Sequence, residues 1–443
     1  MTFSHVEIGL LLLVVMSVLL AAGIWVGVAL ALVGAVAIAF FAKASIFDGL
    51  PVALWGAVES WELAALPLFV WMGEVLFRTR LSDQMFAGLA PWVNWIPGRL
   101  MHVNIIACGL FGSVSGSSAA TTATVAKAAL PELIRRGYDE KVCLGSLCGA
   151  GTLGILIPPS ITMVIYAVAA EVSIVRLFLA GFLPGFLIML LFSGYIAAWA
   201  LLNPSKTPLA TDEADWAARL RSLKDLLPVT VLIVFVMVML VGGFATATES
   251  AAFGLVGSLV LALISGTLSW ENFRLSLMGA MRVSVMIMFI LACAAFLTKA
   301  MAYTGIPREL ALWIKTMGLS PVMLIAALTV VYIALGTALD GVSMIVLTTA
   351  IVIPMVQAAG IDLIWFGIFV VLLVEISEVT PPVGFNLYVL QAMSGRDSTY
   401  VARAALPFFF LLVVSIVLIT VFPEIVMWLP DRIVGADVVQ KPK

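Results

Sequence analysis

Long apolar segments separated by short polar stretches run through nearly the whole chain. About 20 apolar residues can cross a bilayer as an α-helix, whereas barrel strands would be shorter and would alternate in polarity. In the first half the pattern predicts scaffold helices within 1–79, an aromatic and charged interfacial arm over 80–99, and a helix over 174–202. Residues 227–422 repeat this plan.

Within the scaffold segment, the apolar run from 6 to 42 is too long for one crossing, and Gly23 near its middle predicts a turn between two helices. A loop then carries Lys43 and Asp48, and a third helix runs from Trp61 to Phe77.

Two stretches have apolar flanks that are too short for two full crossings, with small polar residues between them. The first spans 100–135 around Gly112 to Ser118, and the second spans 320–358 around Gly336 to Ser343. Each predicts a re-entrant hairpin with its tip near the middle of the membrane. Because non-helical backbone at this depth must be buried in protein or line a cavity, the tips predict a binding site.

Each hairpin is followed by a helix that two adjacent prolines should break. The first broken helix covers 141–170 with Pro158-Pro159, and the second covers 363–391 with Pro381-Pro382. Proline has no amide hydrogen, so it frees carbonyl oxygens upstream of the break.

The prolines also reveal a duplication. Six of them fall into three pairs that are 223 residues apart: Pro131 and Pro354, Pro158 and Pro381, Pro184 and Pro407. Gly137 and Asp139 recur at the same offset as Gly360 and Asp362. A shared offset in an apolar chain predicts two structural repeats of a secondary transporter. We assign the repeats to 1–202 and 227–422, a polar connector to 203–226 and a tail to 423–443.

Composition narrows the class of protein. With 63% hydrophobic and 11% charged residues and a mean hydropathy of +1.18 over 443 residues, the chain is an all-α polytopic membrane protein. Its length allows roughly ten transmembrane helices plus the two hairpins, and no separate soluble domain. The net charge of −2 gives no indication of nucleic-acid binding.

Charge predicts how the repeats lie in the membrane. The segment after the first hairpin carries basic residues, whereas the matching segment 350–364 has no lysine or arginine. These basic residues are Lys127, Arg135, Arg136 and Lys141. The positive-inside rule places the first segment in the cytoplasm and the second outside. The repeats are therefore predicted to be inverted, with the connector inside and both termini in the periplasm.

The hairpin tips and helix breaks carry the candidate chemistry. Sodium ions are bound by oxygen atoms, which hydroxyl groups and the carbonyls of broken helices supply. The first set of hydroxyls comprises Ser113, Ser115, Ser117, Ser118, Thr121 and Thr152. In the second half Asp340, Thr380, Gly384 and Asn386 surround the tip and the break. Alternatively, the small residues only allow close helix packing, and Asp340 only forms a buried structural hydrogen bond.

Glu375 and Glu378 lie one helical turn apart before the second break. They could form a proton or cation site, pair with Arg396 or Lys299, or cap the half-helix. Enzymatic chemistry has no support, because the two histidines are isolated and the cysteines lack metal-site spacing. Since no phosphate-binding glycine loop is present, neither ATP coupling nor an organic cofactor is expected.

Three motifs in this order resemble the large membrane subunit (DctM-like) of tripartite ATP-independent periplasmic (TRAP) transporters. They are Gly112-x-x-Ser-Gly-Ser-Ser118, Gly-x-Leu-Gly-Ile-Leu-Ile-Pro-Pro-Ser160 and Glu375-Ile-x-x-x-Thr-Pro-Pro-Val-Gly-x-Asn386. The resemblance implies sodium-driven uptake of a small organic anion, usually a carboxylate, by an elevator motion in the bacterial inner membrane. It also implies two partners: a small four-helix membrane subunit and a periplasmic substrate-binding protein.

By position, the resemblance implies two sodium sites. The first would use Ser113, Ser115, Gly116, Thr152 and the Pro158 break, and the second Gly336, Asp340, Thr380 and Gly384. Candidates for substrate contacts are Ser117, Ser118, Thr121 and Asn386. The chain departs from the family pattern at Glu378 and at Ala119-Ala120-Thr121-Thr122, where many relatives have an acidic residue. A free-standing sodium/dicarboxylate symporter, which needs no binding protein, is the alternative.

Overall fold

A computed structural model describes residues 5–41, 46–79, 81–208, 216–317, 320–337, 339–381 and 384–435. Lys43, Pro382, and parts of the predicted connector and tail lie outside the described residues. The described part of the chain is helical and contains no strand, which confirms the all-α prediction.

The first half begins with five helices. They are α1 (His5–Ala21), α2 (Val26–Phe41), α3 (Ile46–Val58), α4 (Ala65–Phe77, after a 3-10 turn at Trp61–Ala64) and α5 (Leu81–Val93). Gly23, with φ 75°, lies in the turn between α1 and α2. Helix α3 occupies part of the predicted loop, and it meets the 61–77 segment at a bend of 57°. Its apolar run is too short to cross a bilayer, so a search for apolar segments of membrane-spanning length does not detect it.

The next five helices form the core of the first half. They are α6 (Met101–Ser115), α7 (Ser118–Arg135), α8 (Glu140–Thr152), α9 (Ile161–Ala169) and α10 (Ile174–Leu202). Helices α6 and α7 form the first hairpin, and α8 and α9 are the two parts of the first broken helix.

The second half has ten helices. They are α11 (Trp216–Val241), α12 (Ala247–Ile264), α13 (Trp270–Thr304), α14 (Ile306–Met317), α15 (Pro321–Gly336), α16 (Gly341–Ala358), α17 (Leu363–Glu378), α18 (Phe385–Ser394), α19 (Ser398–Val421) and α20 (Glu424–Ile433). Helix α11 starts inside the predicted connector, because its charged first turns still have helix-forming residues. Helix α20 lies in the predicted tail.

The helices recur at the offset found in the sequence. Helices α7 and α16 begin and end 223 residues apart. Contacts between the halves are reciprocal: α2 packs on α13 as α12 packs on α4, and α7 packs on α18 as α16 packs on α9. Such an exchange of equivalent contacts is what two similar units related by a two-fold rotation would produce.

The described helices suit a membrane. Six are long and apolar enough to cross a bilayer, seven if the bent pair of α3 and α4 counts as one span. Four shorter apolar helices, α1, α2, α6 and α15, accompany them. The chain is a multi-pass membrane protein, and the predicted number of roughly ten crossings stays a prediction.

Candidate functional site

The first hairpin turns sharply at its tip. Helix α6 ends where Gly116 adopts a left-handed conformation, with φ 60°. Ser117 is extended, and its hydroxyl accepts a hydrogen bond from the amide of Ala120 at 3.4 Å, which caps α7. The carboxyl end of α6 and the amino end of α7 therefore meet at one point, and the re-entrant path of this hairpin stays a prediction.

Hydroxyl groups cluster at this tip. The Oγ of Ser115 and the Oγ1 of Thr121 lie 2.6 Å apart, and the Thr121 hydroxyl donates to the carbonyl of Ser117 at 2.8 Å. Ser113 donates to the carbonyl of Leu110 at 2.8 Å. Because a hydroxyl has one proton and two lone pairs, each oxygen that donates to backbone keeps lone pairs that could coordinate a cation.

The first tip lies directly against the first break. Helix α8 ends at Thr152, whose hydroxyl donates to the carbonyl of Gly149 at 2.8 Å. A Cβ atom on Gly154 would lie 3.0 Å from the Thr121 hydroxyl oxygen, and one on Gly112 would lie 2.8 Å from the Gly154 nitrogen. Pro158 is buried in the turn that follows. The structure thus brings the 112–121 segment and the Thr152 end of α8 together.

The second tip has a different amino end. Asp340 is the N-cap of α16, and its carboxylate accepts hydrogen bonds from the Ser343 amide at 3.2 Å and from the Ser343 hydroxyl. Gly336 at the end of α15 packs so closely on Ser377 that a side chain would not fit. The local role of Asp340 is therefore a helix cap, which places an acidic side chain at the tip.

Backbone oxygens surround the second break. Helix α17 ends at Glu378, the Thr380 hydroxyl donates to the Ile376 carbonyl at 2.5 Å, and the Gly384 amide donates to the Thr380 carbonyl at 3.0 Å. A Cβ on Gly384 would lie 2.8 Å from the Glu378 carbonyl oxygen and 3.0 Å from that of Thr380. The carbonyls are close to Gly384 because that position has no side chain.

The two glutamates before the second break have different surroundings. Glu375 is fully buried, and neither of its carboxyl oxygens makes a hydrogen bond. It faces the hydroxyl of Thr152 in the first half, whereas Glu378 is within electrostatic range of Asp340. A buried carboxylate is costly, so a proton or a cation, together with the Thr152 hydroxyl, suits the space beside Glu375.

Of the three alternatives for these glutamates, pairing with Arg396 is not what the structure shows. Arg396 donates instead to both carboxylate oxygens of Glu140, at 2.9 and 2.6 Å. Since the Glu375 oxygens make no hydrogen bond, Glu375 is not paired with Lys299 either. The sequence did not reveal Glu140 as the partner because the two ends of this ion pair are 256 residues apart.

Asn386 connects the halves. Its side-chain oxygen accepts a hydrogen bond from the Ser118 hydroxyl at 2.9 Å, and its amide nitrogen donates to the Cys148 carbonyl at 3.0 Å. Among the four candidates for substrate contacts, Ser118, Thr121 and Asn386 are buried, while Ser117 is half-buried at the tip. Protein groups therefore occupy both polar ends of Asn386 in this conformation.

Gly73 is a site residue that the sequence did not reveal. A Cβ on Gly73 of α4 would lie 2.8 Å from the Val114 carbonyl oxygen and 3.1 Å from the Ser115 Cα. The first tip therefore rests directly on a helix of the preceding segment. A single glycine inside an apolar helix is a weak signal, because its partner lies on a distant helix.

Comparisons with known proteins agree with this architecture. A family model described as the tripartite ATP-independent periplasmic transporter, DctM component, matches residues 13–425. The C4-dicarboxylate TRAP transporter large permease protein DctM of Pseudomonas aeruginosa is 34% identical over 408 residues, covering 91% of this chain and 93% of that protein. The ectoine/5-hydroxyectoine large permease protein UehC of Ruegeria pomeroyi is 28% identical, covering 84% and 86%.

Solved structures show the same fold at low sequence identity. The YdaH transporter of Alcanivorax borkumensis superposes with a TM-score of 0.69 at 14% identity, covering 94% of this chain and 99% of that one. The sequence matches confirm the resemblance found in the three motifs, and the family is one of transporters rather than enzymes. By its sequence match over almost its whole length, the chain belongs to the DctM component family of tripartite ATP-independent periplasmic transporters.

Proposed function

We propose that this chain couples the inward movement of Na⁺ to the uptake of a small organic anion across the bacterial inner membrane. The observation that carries the proposal is the meeting of each hairpin tip with the break of a neighbouring helix. At the first meeting point the Thr121 hydroxyl lies beside Gly154. At the second, Gly336 of the tip packs on Ser377, next to the break where the Glu378 and Thr380 carbonyls crowd around Gly384. Oxygen-rich points in an apolar interior suit a desolvated cation.

The two tips suit different ligands. The amino end of α16 already has the carboxylate of Asp340 as its cap, which compensates the positive end of that helix dipole. The amino end of α7 has the neutral cap Ser117. A helix amino end whose cap carries no negative charge attracts an anionic group. We therefore place the substrate carboxylate near Ser117 and the second cation near Asp340.

Ion pairs between distant segments support the inverted topology. Lys206 pairs with Asp139 at 3.3 Å, which joins two segments predicted to be cytoplasmic, and Arg396 pairs with Glu140 at 2.6 Å, which brings the turn before α19 to the same side. Arg176 pairs with Asp431 at 2.8 Å, which joins the start of α10 to the tail, predicted to be periplasmic. These contacts are consistent with the predicted sides, and we propose that both termini lie in the periplasm.

We propose that an elevator motion moves the hairpins and broken helices against the preceding segments of each half. The pairs α2 with α13 and α4 with α12 pack on one another. The first tip touches α4 at Gly73, where only backbone meets backbone. A contact without interlocking side chains suits a surface that slides.

We also propose two partners, a small four-helix membrane subunit and a periplasmic binding protein that delivers the substrate. The relatives differ in their named substrates, C4-dicarboxylates for one and ectoine for another. For this chain we propose a small carboxylate, which the amino end of α7 can hold because its cap, Ser117, is uncharged.

The proposal can be tested in liposomes that contain the chain and its small subunit, with an imposed sodium gradient. We expect uptake of a radiolabelled C4-dicarboxylate to need both the gradient and the added binding protein. Uptake with the gradient but without the binding protein would identify a free-standing symporter. Rates that do not change when choline replaces sodium would show that sodium coupling is wrong.

A further inference from the structure

We infer that Asn386 is a positioning residue through which the second half of the chain sets the geometry of the first hairpin tip. Asn386 is the second residue of α18, beyond the second break, yet its two side-chain hydrogen bonds both end in the first half. The inference rests on the proposed function only where its test measures sodium dependence.

The position of Asn386 is tightly defined. The side chain is fully buried, and the Ser118 side chain is 4% exposed, so water does not compete for their hydrogen bond at 2.9 Å. A Cβ on Gly151 of α8 would lie 3.2 Å from the Asn386 amide nitrogen. The carboxamide therefore fits between two elements of the first half and makes one hydrogen bond to each.

The two bonded partners belong to the two elements that meet at the first candidate cation site. Ser118 is the first residue of α7, directly after the tip, and Cys148 lies one turn before Thr152 at the end of α8. A single rigid amide thus fixes the tip relative to the break. Removing a buried hydrogen bond leaves its partner unsatisfied, so loss of the carboxamide should release both the Ser118 hydroxyl and the Cys148 carbonyl.

The arrangement has no counterpart at the second tip. The residue 223 positions earlier is Met163, which has no amide group. The hydrogen bonds of Asn386 therefore connect the second half to the first site, and Met163 cannot form equivalent bonds to the second site. A movement of the second break would displace α18 and, through Asn386, the first tip. This distinguishes a positioning role from a contact with substrate, which would not require bonds to both α7 and α8.

Thiol labelling tests the geometry directly. The four native cysteines are buried, so a cysteine introduced by Ala119→Cys, at a half-buried position beside the first tip, reports on that tip and one introduced by Thr337→Cys reports on the second. We expect Asn386→Leu, which keeps a similar volume, to increase the labelling rate at the first position about tenfold and leave the second unchanged. The matched control is Asn104→Leu, since Asn104 is also fully buried and donates to Ser146 at 2.9 Å.

Sodium titration of uptake supplies the second measurement. We expect Asn386→Leu to raise the sodium concentration for half-maximal uptake about tenfold, which corresponds to about 1.4 kcal/mol, while the substrate KM at saturating sodium stays unchanged. Asn386→Asp retains the acceptor for Ser118 and should show a smaller shift. Asn104→Leu should lower thermal stability without shifting the sodium curve.

Unchanged labelling at the first tip in Asn386→Leu would overturn the inference, whatever the sodium curve shows. So would an increase in the substrate KM alone, which would make Asn386 a substrate ligand, or an equal effect of Asn104→Leu on labelling. If uptake by the unchanged protein were independent of sodium, the proposed function would fail, and the labelling rates would still decide the role of Asn386.

Discussion

At the scale of single residues, the left-handed conformation of Gly116 determines the shape of the first tip. A Cβ there would lie 2.7 Å from side-chain atoms of Ile161, and φ is 60°. A left-handed conformation costs a residue with a side chain about 1–2 kcal/mol. We expect Gly116→Ala to lower the unfolding temperature of the purified protein and to weaken sodium-dependent uptake.

Gly194 provides the matched control for this substitution. It lies inside α10, and a Cβ there would have no atom within 4 Å. Because alanine favours helix over glycine by about 1 kcal/mol, Gly194→Ala should leave the unfolding temperature unchanged or raise it. Equal effects at both positions would mean that the tip geometry is not what limits stability.

Asp340 allows charge and capping to be separated. Asparagine caps a helix about as well as aspartate, whereas alanine in place of a capping residue costs about 1 kcal/mol. We therefore expect Asp340→Asn to keep the stability of the protein but to raise the sodium concentration for half-maximal uptake. Asp340→Ala should lower both stability and sodium affinity. If Asp340→Asn had the same sodium concentration for half-maximal uptake as the protein without the substitution, Asp340 would be only a cap.

At the scale of elements, the sequence predicts helices and breaks better than it predicts contacts. Helices α6 and α7 together fill the range 101–135, close to the predicted hairpin, because prolines, glycines and the apolar flanks act locally. The hydropathy pattern does not predict helix α3, because its apolar run is shorter than a crossing. The sequence singles out Asn386 but does not predict its hydrogen bond to Ser118, because the two residues are 268 positions apart and a local pattern contains no information about such a pairing.

The contact between α4 and the first tip yields a prediction at this scale. A Cβ on Gly73 would approach the Val114 carbonyl oxygen to 2.8 Å, so the tip would have to move. Overpacking of this kind typically costs about 1–3 kcal/mol. We expect Gly73→Ala to depopulate the present conformation, measured as a lower unfolding temperature and a changed maximal uptake rate.

Gly56→Ala serves as its control, because a Cβ on Gly56 of α3 would have no atom within 4 Å. It should leave both measurements unchanged. A Gly73→Ala protein that behaves like Gly56→Ala would show that the tip can move away from α4 without cost.

At the scale of the whole molecule, the offset of 223 residues makes the inverted topology testable with two matched positions. Arg135 and Ala358 are the last residues of α7 and α16, both are exposed, and they are equivalent under the repeat. The positive-inside rule places Arg135 in the cytoplasm, and inversion then places Ala358 in the periplasm.

A membrane-impermeant thiol reagent added to whole cells with a permeable outer membrane should label Ala358→Cys and spare Arg135→Cys. In inside-out vesicles the pattern should reverse, and the buried native cysteines give little background. Labelling of both positions from one side would mean that the two halves run parallel, and a sliding core with one hairpin entering from each side would then be impossible.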